Sequence, residues 1–291
     1  MVEEGSTSGH SPKVDVLVPT CGRPAALSVT LATVALQTFP DFRVVVSDQG
    51  ETPATGSPEV AAVIRFLESK GHEVLVLRNL PRHGMAQQRQ FLLDQGIGSY
   101  AFYLDDDVIL EADLLERLVR VIEEQRCGLV GSALIGLSYR DDVRPHEQGI
   151  EFWDGPVEPE LLRPEEPNWE RHKLHNAANV LHVAERLGVT PECQRPYKVA
   201  WVGGCVLFDS YALRASGGFD FHEDLPPAHR GEDIVAQVRV MERFGGCGIL
   251  PSGAYHQEVP TSLAHRPHDA VEAVLRVRAG GAPLSPGRVS G

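Results

Sequence analysis

Short apolar runs that alternate with helix-like stretches constrain the fold of this chain more than any other feature. Between the runs, apolar residues recur with the spacing of one helix face, as at Leu27, Leu31 and Val34. Because the runs have no polar face, we expect strands covered on both sides by helices in an open, mostly parallel α/β sheet. The runs cover residues 14–18, 42–46, 74–77 and 100–104.

The alternation also divides the chain into segments. It breaks down after residue 140, where Pro, Glu, Arg, His and Trp become frequent, and it resumes with a predicted strand over 198–208 and a predicted helix over 231–245. Ligands of open parallel sheets bind at the carboxyl ends of the strands, so functional residues are expected there. The predicted segments are a disordered leader (1–12), a first half of the sheet (13–139), an insertion or lid (140–197), a second half (198–266) and a C-terminal helix or tail, partly disordered (267–291).

Charge, cysteine content and missing motifs exclude several classes of protein. The formal net charge of −13 predicts repulsion of a nucleic-acid backbone, so no nucleic-acid partner is expected. Five scattered cysteines without a C-x-x-C pair fit a cytoplasmic protein better than a disulfide framework. No window approaches the roughly 20 apolar residues of a membrane span, so we expect no integral membrane segment and only peripheral membrane contact. The chain lacks the G-x-S-x-G, P-loop, G-x-G-x-x-G and H-E-x-x-H motifs.

Three consecutive carboxylates, Asp105, Asp106 and Asp107, close the fourth apolar run. Adjacent anions raise one another's pKa, so a strand end seldom carries them without a cation or hydrogen-bond donors. If the segment is extended, Asp105 and Asp107 point to one side and Asp106 to the other, which gives a carboxylate pair for Mg²⁺ or Mn²⁺. The alternative is a solvated acidic turn in which Asp107 or Glu111 caps the next helix.

The ends of the first three apolar runs carry further candidates. Arg23 precedes a predicted helix start, where exposed amides favour an anion. Asp48 closes the second run, where a carboxylate can accept from a ribose hydroxyl or a base N–H. Arg78, Arg82 and Arg89 surround the next helix start and could contact phosphate. Ordinary turn chemistry and solvated arginines are the alternatives, and for Arg82 we prefer the solvated interpretation.

Two more candidates lie in the second half of the chain. Glu232 and Asp233 begin a predicted helix, where a carboxylate can act as a base toward an acceptor hydroxyl. Acidic residues at a helix N-terminus are also explained by the helix dipole alone. His256 follows a short strand and could complete a mixed oxygen and nitrogen site for Mn²⁺, although a lone histidine is more often an ordinary surface or core residue.

In this order the motifs resemble the family 2 glycosyltransferases, which bind nucleotide sugars with the Rossmann-like GT-A fold. The resemblance covers roughly residues 14–258. It implies that the first half binds the nucleotide sugar and that the second half binds the acceptor and carries catalysis. The motifs are VDVLVPTCGRP, VVVSDQG, LRNLPRHGMAQQRQ, YLDDDV, WVGGCVLFDSYALRASGGFD, RGEDIVAQVRV and ILPSGAYHQE.

The resemblance also implies roles for individual residues. Asp105 and Asp107 match the family's metal motif, and His256 matches an occasional third metal ligand. Asp233 matches the catalytic base, with Glu232 beside it. The positions that match nucleotide-sugar-binding residues are Pro19, Thr20, Arg23, Asp48, Arg78, Gly84, Arg89, Asp105, Asp106 and, in an acceptor-side loop, Gly204.

The implied function is transfer of a sugar from a nucleoside diphosphate sugar, with UDP favoured, to an acceptor hydroxyl with inversion. The implied cofactor is Mn²⁺ or Mg²⁺, while the acceptor and the oligomeric state do not follow from the sequence. One alternative is a sugar-phosphate nucleotidyltransferase, which usually has a Gly-rich, Lys-bearing loop that the TCGRP turn lacks. Another is a non-catalytic nucleotide-sugar-binding protein, which would have no reason to retain all the acidic motifs.

Overall fold

The structure is a computed structural model that describes residues 11–261 and 265–276. The predictions for residues 1–10 and 277–291, as leader and tail, lie outside the described residues. The strands are β1 Val14–Thr20, β2 Phe42–Asp48, β3 Val74–Arg78, β4 Tyr100–Leu104, β5 Val108–Leu110, β6 Leu129–Gly131, β7 Arg195–Tyr197, β8 Cys205–Asp209, β9 His229–Arg230, β10 Gly246–Leu250, β11 Ala254–His256 and β12 His268–Asp269. The α-helices are α1 Pro24–Val34, α2 Pro58–Ser69, α3 Met85–Gln95, α4 Leu114–Gln125, α5 Asn179–Leu187, α6 Ser210–Ala215 and α7 Glu232–Phe244.

A central eight-stranded sheet has the order β3-β2-β1-β4-β8-β6-β10-β7. The first four strands are parallel, as are β6 and β10, whereas β8 runs antiparallel to both of its neighbours and β7 runs antiparallel to β10. The prediction of an open, mostly parallel sheet is therefore confirmed. From β1 the chain continues to β2 and β3 on one side of the sheet and then to β4 on the other side. Sheets of this kind bind ligands in the crevice at such a switch point, here between the carboxyl ends of β1 and β4.

Helices cover both faces of the sheet, as the apolar strands require. Val16 and Val18 of β1 pack with α1, α2 and α4 on one face. Leu17, which points the other way, packs with α3, α5, α6 and α7 on the opposite face. None of the helices formed by the described residues is long and apolar enough to cross a lipid bilayer.

Two predicted segments differ from expectation. The strand predicted over 198–208 begins only at Cys205, because Gly204 has a φ of +69°, which is incompatible with an extended chain. The segment 140–197 packs Leu162 and Tyr197 into the core and supplies β7 at the sheet edge. The boundaries of the predicted domains stay predictions.

A buried ion pair lies within the apolar strands. Asp15 in β1 has no exposed surface, and Arg43 in β2 is 6% exposed. Arg43 Nε donates to Asp15 Oδ1, while Asp15 Oδ2 accepts from the backbone N–H groups of Ile97 and Gly98 at 2.7 Å each. The carboxylate thus joins β1 and β2 to the loop that leads into β4.

We predict that Asp15→Asn lowers the free energy of unfolding by about 3–5 kcal/mol, because the buried Arg43 charge would keep only the exposed carboxylate of Glu73, 3.7 Å from Nη1, as a counter-ion. The NH₂ of the new amide would also face donors in either orientation, namely the two backbone N–H groups or the Arg43 guanidinium. Urea unfolding measures the change. As the control, Glu272→Gln removes an exposed ion pair to Arg276 and should cost about 0–1 kcal/mol. Equal effects of the two substitutions would contradict the prediction.

Candidate active site

A cleft of about 550 Å³ lies at the carboxyl ends of β1 and β4, where the strand succession reverses. Thr20 ends β1 and Arg23 follows it, residues 105–107 follow β4, and Glu232 and Asp233 begin α7; all of them line the cleft. Chain positions far apart in sequence therefore place their polar side chains in one cavity. A second cavity, of about 430 Å³, contains none of the predicted site residues.

The three aspartates occupy a turn between β4 and β5 rather than an extended segment. Arg23 donates to Asp106 Oδ1 through Nη2 and to Asp107 Oδ2 through Nη1, the latter at 2.7 Å. Thr20 Oγ1 donates to Asp106 Oδ2 at 2.5 Å. The expectation that Asp106 points away from Asp105 and Asp107 is therefore wrong, because the turn directs Asp106 and Asp107 to the same guanidinium.

Burial distinguishes this turn from a solvated acidic loop. Asp106 is 1% exposed and Asp107 is 5% exposed. Burial raises the pKa of Asp106 to about 6, although the charge of Arg23 and the hydrogen bond from Thr20 act in the opposite direction. The alternative of a solvated acidic turn is therefore wrong, and Asp107 caps no helix, since α4 begins after Asp113.

Arg89 of α3 links the aspartate turn to the start of α7. Its side chain is almost fully buried, and it donates from Nη2 to Asp105 Oδ1 at 3.0 Å and from Nε to Glu232 Oε1 at 3.2 Å. Burial alone would lower the pKa of Arg89, but these carboxylates raise it. The guanidinium therefore stays charged and holds the two acidic motifs together, while its predicted contact with the nucleotide stays a prediction.

Asp233 lies beside Glu232 and is partly exposed to the cleft. Burial of its carboxyl group and the negative charge of Glu232 raise the pKa of Asp233 to about 7, and the charge of Arg89 opposes this shift. No arginine among the described residues donates a hydrogen bond to Asp233. A carboxylate that gains and loses a proton near neutral pH is suited to general-base chemistry.

His256 approaches the same turn from β11. Its Nε2 lies 3.5 Å from Asp107 Oδ2, and its Nδ1 accepts from the backbone N–H of Glu258 at 2.8 Å. Because a neutral imidazole carries one proton, this contact places the proton on Nε2, which faces Asp107 as a donor. The predicted role of His256 as a metal ligand stays a prediction that this arrangement does not favour.

Two predicted glycines fit tightly against cleft residues. The carbonyl of Gly204 accepts from the backbone N–H of Asp105 at 2.9 Å, and an added Cβ at Gly204 would lie 3.0 Å from Asp105 Oδ2. Gly84, with a φ of +102°, precedes α3, and an added Cβ there would lie 2.5 Å from His229 Cε1. Gly204 thus positions an aspartate from outside the cleft, while Gly84 lines it.

The structure brings together all but three of the predicted site residues; Asp48, Arg78 and Gly204 do not line the cleft. Asp48 is fully buried and accepts from the backbone N–H groups of Gly50 and Thr55 at 2.9 and 3.1 Å. Arg78 donates to the Gly50 carbonyl at 2.5 Å. In this structure both side chains brace the turn after β2, and their predicted contact with the nucleoside stays a prediction.

Sequence reasoning missed His229, which lines the cleft and is 2% exposed. Its Nε2 accepts from the N–H of Ala86 at 2.9 Å, and its Nδ1 donates to the Pro226 carbonyl at 2.7 Å. Burial lowers its pKa, so the ring is held neutral between the start of α3 and the segment before α7. No sequence motif marks this contact, because its partners are backbone groups.

Comparisons with known proteins identify the family of the chain and support its fold. Residues 15–186 match the family model described as Glycosyl transferase family 2. Over 125 residues the chain is 28% identical to the GalNAc(5)-diNAcBac-PP-undecaprenol beta-1,3-glucosyltransferase of Campylobacter jejuni, a match that covers 43% of this chain and 39% of the relative. The chain thus spans about two fifths of that relative's length.

Solved structures confirm the GT-A-type fold prediction. A fragment of S. aureus TarS matches with a TM-score of 0.50 and 16% identity, over 84% of this chain and 60% of that one. The fragment in complex with UDP-GlcNAc matches with the same TM-score and identity, over 86% of this chain and 60% of that one. At this identity the likeness shows the fold alone.

We predict that Gly204→Ala lowers the free energy of unfolding by about 1–2 kcal/mol, because the left-handed backbone conformation disfavours a side chain. The new methyl group would also press on Asp105 and Leu134. Gly203→Ala is a matched control, since its Cβ would meet no atom within 4 Å. Urea unfolding of the two variants makes the comparison, and equal stabilities would contradict the assigned role of Gly204.

Proposed function

The chain belongs to glycosyl transferase family 2, and we propose that its acidic cleft transfers a sugar from a nucleoside diphosphate sugar to an acceptor hydroxyl. The observation that carries the proposal is the convergence of the aspartate turn and the Glu232–Asp233 pair in one cleft at the ligand-binding edge of the sheet. We favour a UDP sugar as the donor, as the family resemblance implies, and inversion at the anomeric carbon.

The aspartate turn is the proposed site of a divalent cation. Asp105 Oδ2 and Asp107 Oδ1 accept no hydrogen bond from the described residues, so each carboxylate keeps an oxygen for a hard ion such as Mg²⁺ or Mn²⁺. No three His, Cys, Asp or Glu side chains gather into a metal site within the described ranges, so phosphate oxygens and water would complete the coordination. When bound, the ion neutralises the diphosphate leaving group.

The side chains around the turn have separate proposed roles. Arg23, which is 23% exposed, contacts Asp106 and Asp107 and can also turn toward an incoming phosphate. Arg89 holds Asp105 in place from the buried side of the cleft. These contacts fix the diphosphate end of the donor relative to the start of α7.

Asp233 is the proposed base. The acceptor oxygen attacks the anomeric carbon as its proton passes to the Asp233 carboxylate, and the nucleoside diphosphate leaves from the opposite face. A single displacement of this kind inverts the anomeric configuration. Glu232 supports the base indirectly, because its charge helps to raise the pKa of Asp233 and its carboxylate is held by Arg89.

The alternatives are weaker. The family match does not favour a sugar-phosphate nucleotidyltransferase. A non-catalytic binding protein would have no need for a carboxyl group that lines the cleft with a pKa raised to about 7, because its ionised form is costly to maintain there.

Calorimetric titration with UDP, GDP and dTDP, with and without Mn²⁺, tests donor and metal binding together. We expect one nucleotide to bind in a metal-dependent manner, and Asp107→Asn to abolish the metal dependence. Asp113→Asn, outside the cleft, is the control. Failure of all three nucleotides to bind the folded protein would overturn the proposed function.

We predict that Asp233→Asn lowers the rate of sugar transfer by about 10²–10⁴-fold, because the acceptor proton loses its base. Nucleotide affinity should be unchanged, since Asp233 contacts the acceptor. Nucleotide release with a panel of acceptors measures the rate. Asp220→Asn, on an exposed side chain, should transfer at the wild-type rate. Full activity of Asp233→Asn would remove the base assignment.

The raised pKa of Asp233 also predicts a pH dependence. Transfer requires the ionised carboxylate, so kcat/KM should fall by about tenfold per pH unit below about pH 7.

The same shift affects the stability of the protein. The pKa of Asp233 is higher in the folded than in the unfolded state, so its protonated form stabilises the fold at low pH, and this stabilisation is lost as pH rises through about 7. Asp233→Asn should therefore unfold at higher urea concentration than wild type at pH 8. A kcat/KM profile whose acid limb lies near pH 4 would contradict the raised pKa of Asp233.

A further inference from the structure

Two arginines at the mouth of the cleft, Arg82 and Arg266, differ from the two inside it. Arg23 and Arg89 are neutralised by the acidic motifs. Arg82 and Arg266 also line the cleft but are exposed, and neither forms an ion pair with any described residue. We call these two side chains the arginine rim. In a chain with a net charge of −13, two unpaired cations facing one cavity point to an anionic ligand.

The arginine rim lies next to β9, the strand that precedes the proposed base. Arg266 lies just before β12, which pairs with β9, and β9 ends two residues before α7 and Glu232. Arg82 lies in the loop that ends at Gly84, where the backbone packs against His229 of β9 and the Pro227 carbonyl. Arg266 is therefore anchored beside β9, and Arg82, which lies in the loop between β3 and α3, approaches the same region where Gly84 packs against His229.

We propose that the arginine rim binds a phosphate group of the acceptor, so that the acceptor is a phosphorylated compound. The inference rests on the proposed function, because Asp233 marks the place where the acceptor hydroxyl would lie. The diphosphate of the donor has its own counter-charge in the proposed cation at Asp105 and Asp107. A phosphate monoester carries about −1.5 to −2 charges at pH 7, and guanidinium groups bind it through paired hydrogen bonds.

The positions of the acidic and basic groups explain why an anionic acceptor would need the arginine rim in order to bind. Asp233 and Glu232 would repel an anionic acceptor if no cation stood between them and the solvent. Two guanidinium groups at the entrance offset this repulsion and fix the distance from the phosphate to the reacting hydroxyl. No bond to phosphorus forms or breaks, so the phosphate acts only as a handle for binding.

The first test uses inorganic phosphate as the probe, titrated into protein saturated with UDP and Mg²⁺. The variants are Arg82→Gln, Arg266→Gln and their combination. The control is Arg120→Gln, which changes an exposed arginine of α4 outside the cleft. We expect the double variant to bind phosphate at least roughly tenfold more weakly, with unchanged affinity for UDP and for uridine, and the control to match wild type. Phosphate affinity that is unchanged in the double variant would overturn the proposal.

The same variants distinguish the two possible sources of the phosphate. If the double variant loses affinity for UDP but not for uridine, the rim binds the donor's diphosphate, and the assignment to the acceptor is wrong. A second assay compares transfer to sugar phosphates with transfer to the same sugars without phosphate. Wild type should prefer the phosphorylated member by roughly tenfold in kcat/KM, and the double variant should lose this preference. Equal use of both members by wild type would also overturn the proposal.

Failure of this inference is separable from failure of the proposed function. Wild-type protein that binds UDP with metal and transfers sugar, but shows no rim-dependent phosphate affinity, keeps the proposed function and loses the inference. Wild-type protein that binds no nucleotide loses both. Because Arg82 and Arg266 are exposed and form no ion pair among the described residues, their substitution should leave urea unfolding unchanged, which confirms that any loss of binding is local.

Discussion

The cleft depends on the neutralisation of closely spaced carboxylates by two arginines. Arg23 contacts two aspartates of the turn after β4, and Arg89 joins Asp105 to Glu232 across the cleft. Without these cations, buried like charges would raise one another's pKa and oppose folding. Asp233 is the remaining carboxylate, and burial together with the charge of Glu232 raises its pKa to about 7 against the opposing charge of Arg89. The two arginines thus pair with four acidic groups, and Asp233 is left without a hydrogen bond from an arginine among the described residues.

Strand order determines which residues meet in this network. β1 and β4 are neighbours in the sheet, so Thr20 reaches Asp106 although 86 positions separate them. The antiparallel β8 pairs Cys205 with Leu104, which sets Gly204 directly against Asp105. A fully parallel sheet would not deliver this glycine to the carboxyl end of β4, so the departure from parallel order is part of how the cleft is built.

The first four strands, α1, α7 and the placement of functional residues at strand ends followed from the sequence, because periodic burial and strand ends are local signals. The short strands β5, β6, β7, β9 and β12 were not predicted. The geometry within the cleft did not. The turn that aims Asp106 and Asp107 at Arg23 depends on a residue from another strand end. His229 had no sequence signal, since its ring contacts backbone groups. The lack of room for a side chain at Gly204 results from Leu134 and Asp105, which are distant in the chain. Contacts between residues that are far apart in sequence produce no regular spacing along the chain, so a sequence pattern does not reveal them.

The central claim is that the aspartate turn holds the metal and diphosphate of a nucleotide sugar beside Asp233. Anomalous diffraction from crystals grown with Mn²⁺ and UDP tests it most directly. We expect one Mn²⁺ peak within about 2.0–2.6 Å of oxygens from Asp105 or Asp107 and of the diphosphate, with Asp233 facing the position of the sugar. A nucleotide bound outside this cleft, or inside it without contact between these carboxylates and the metal, would contradict the account.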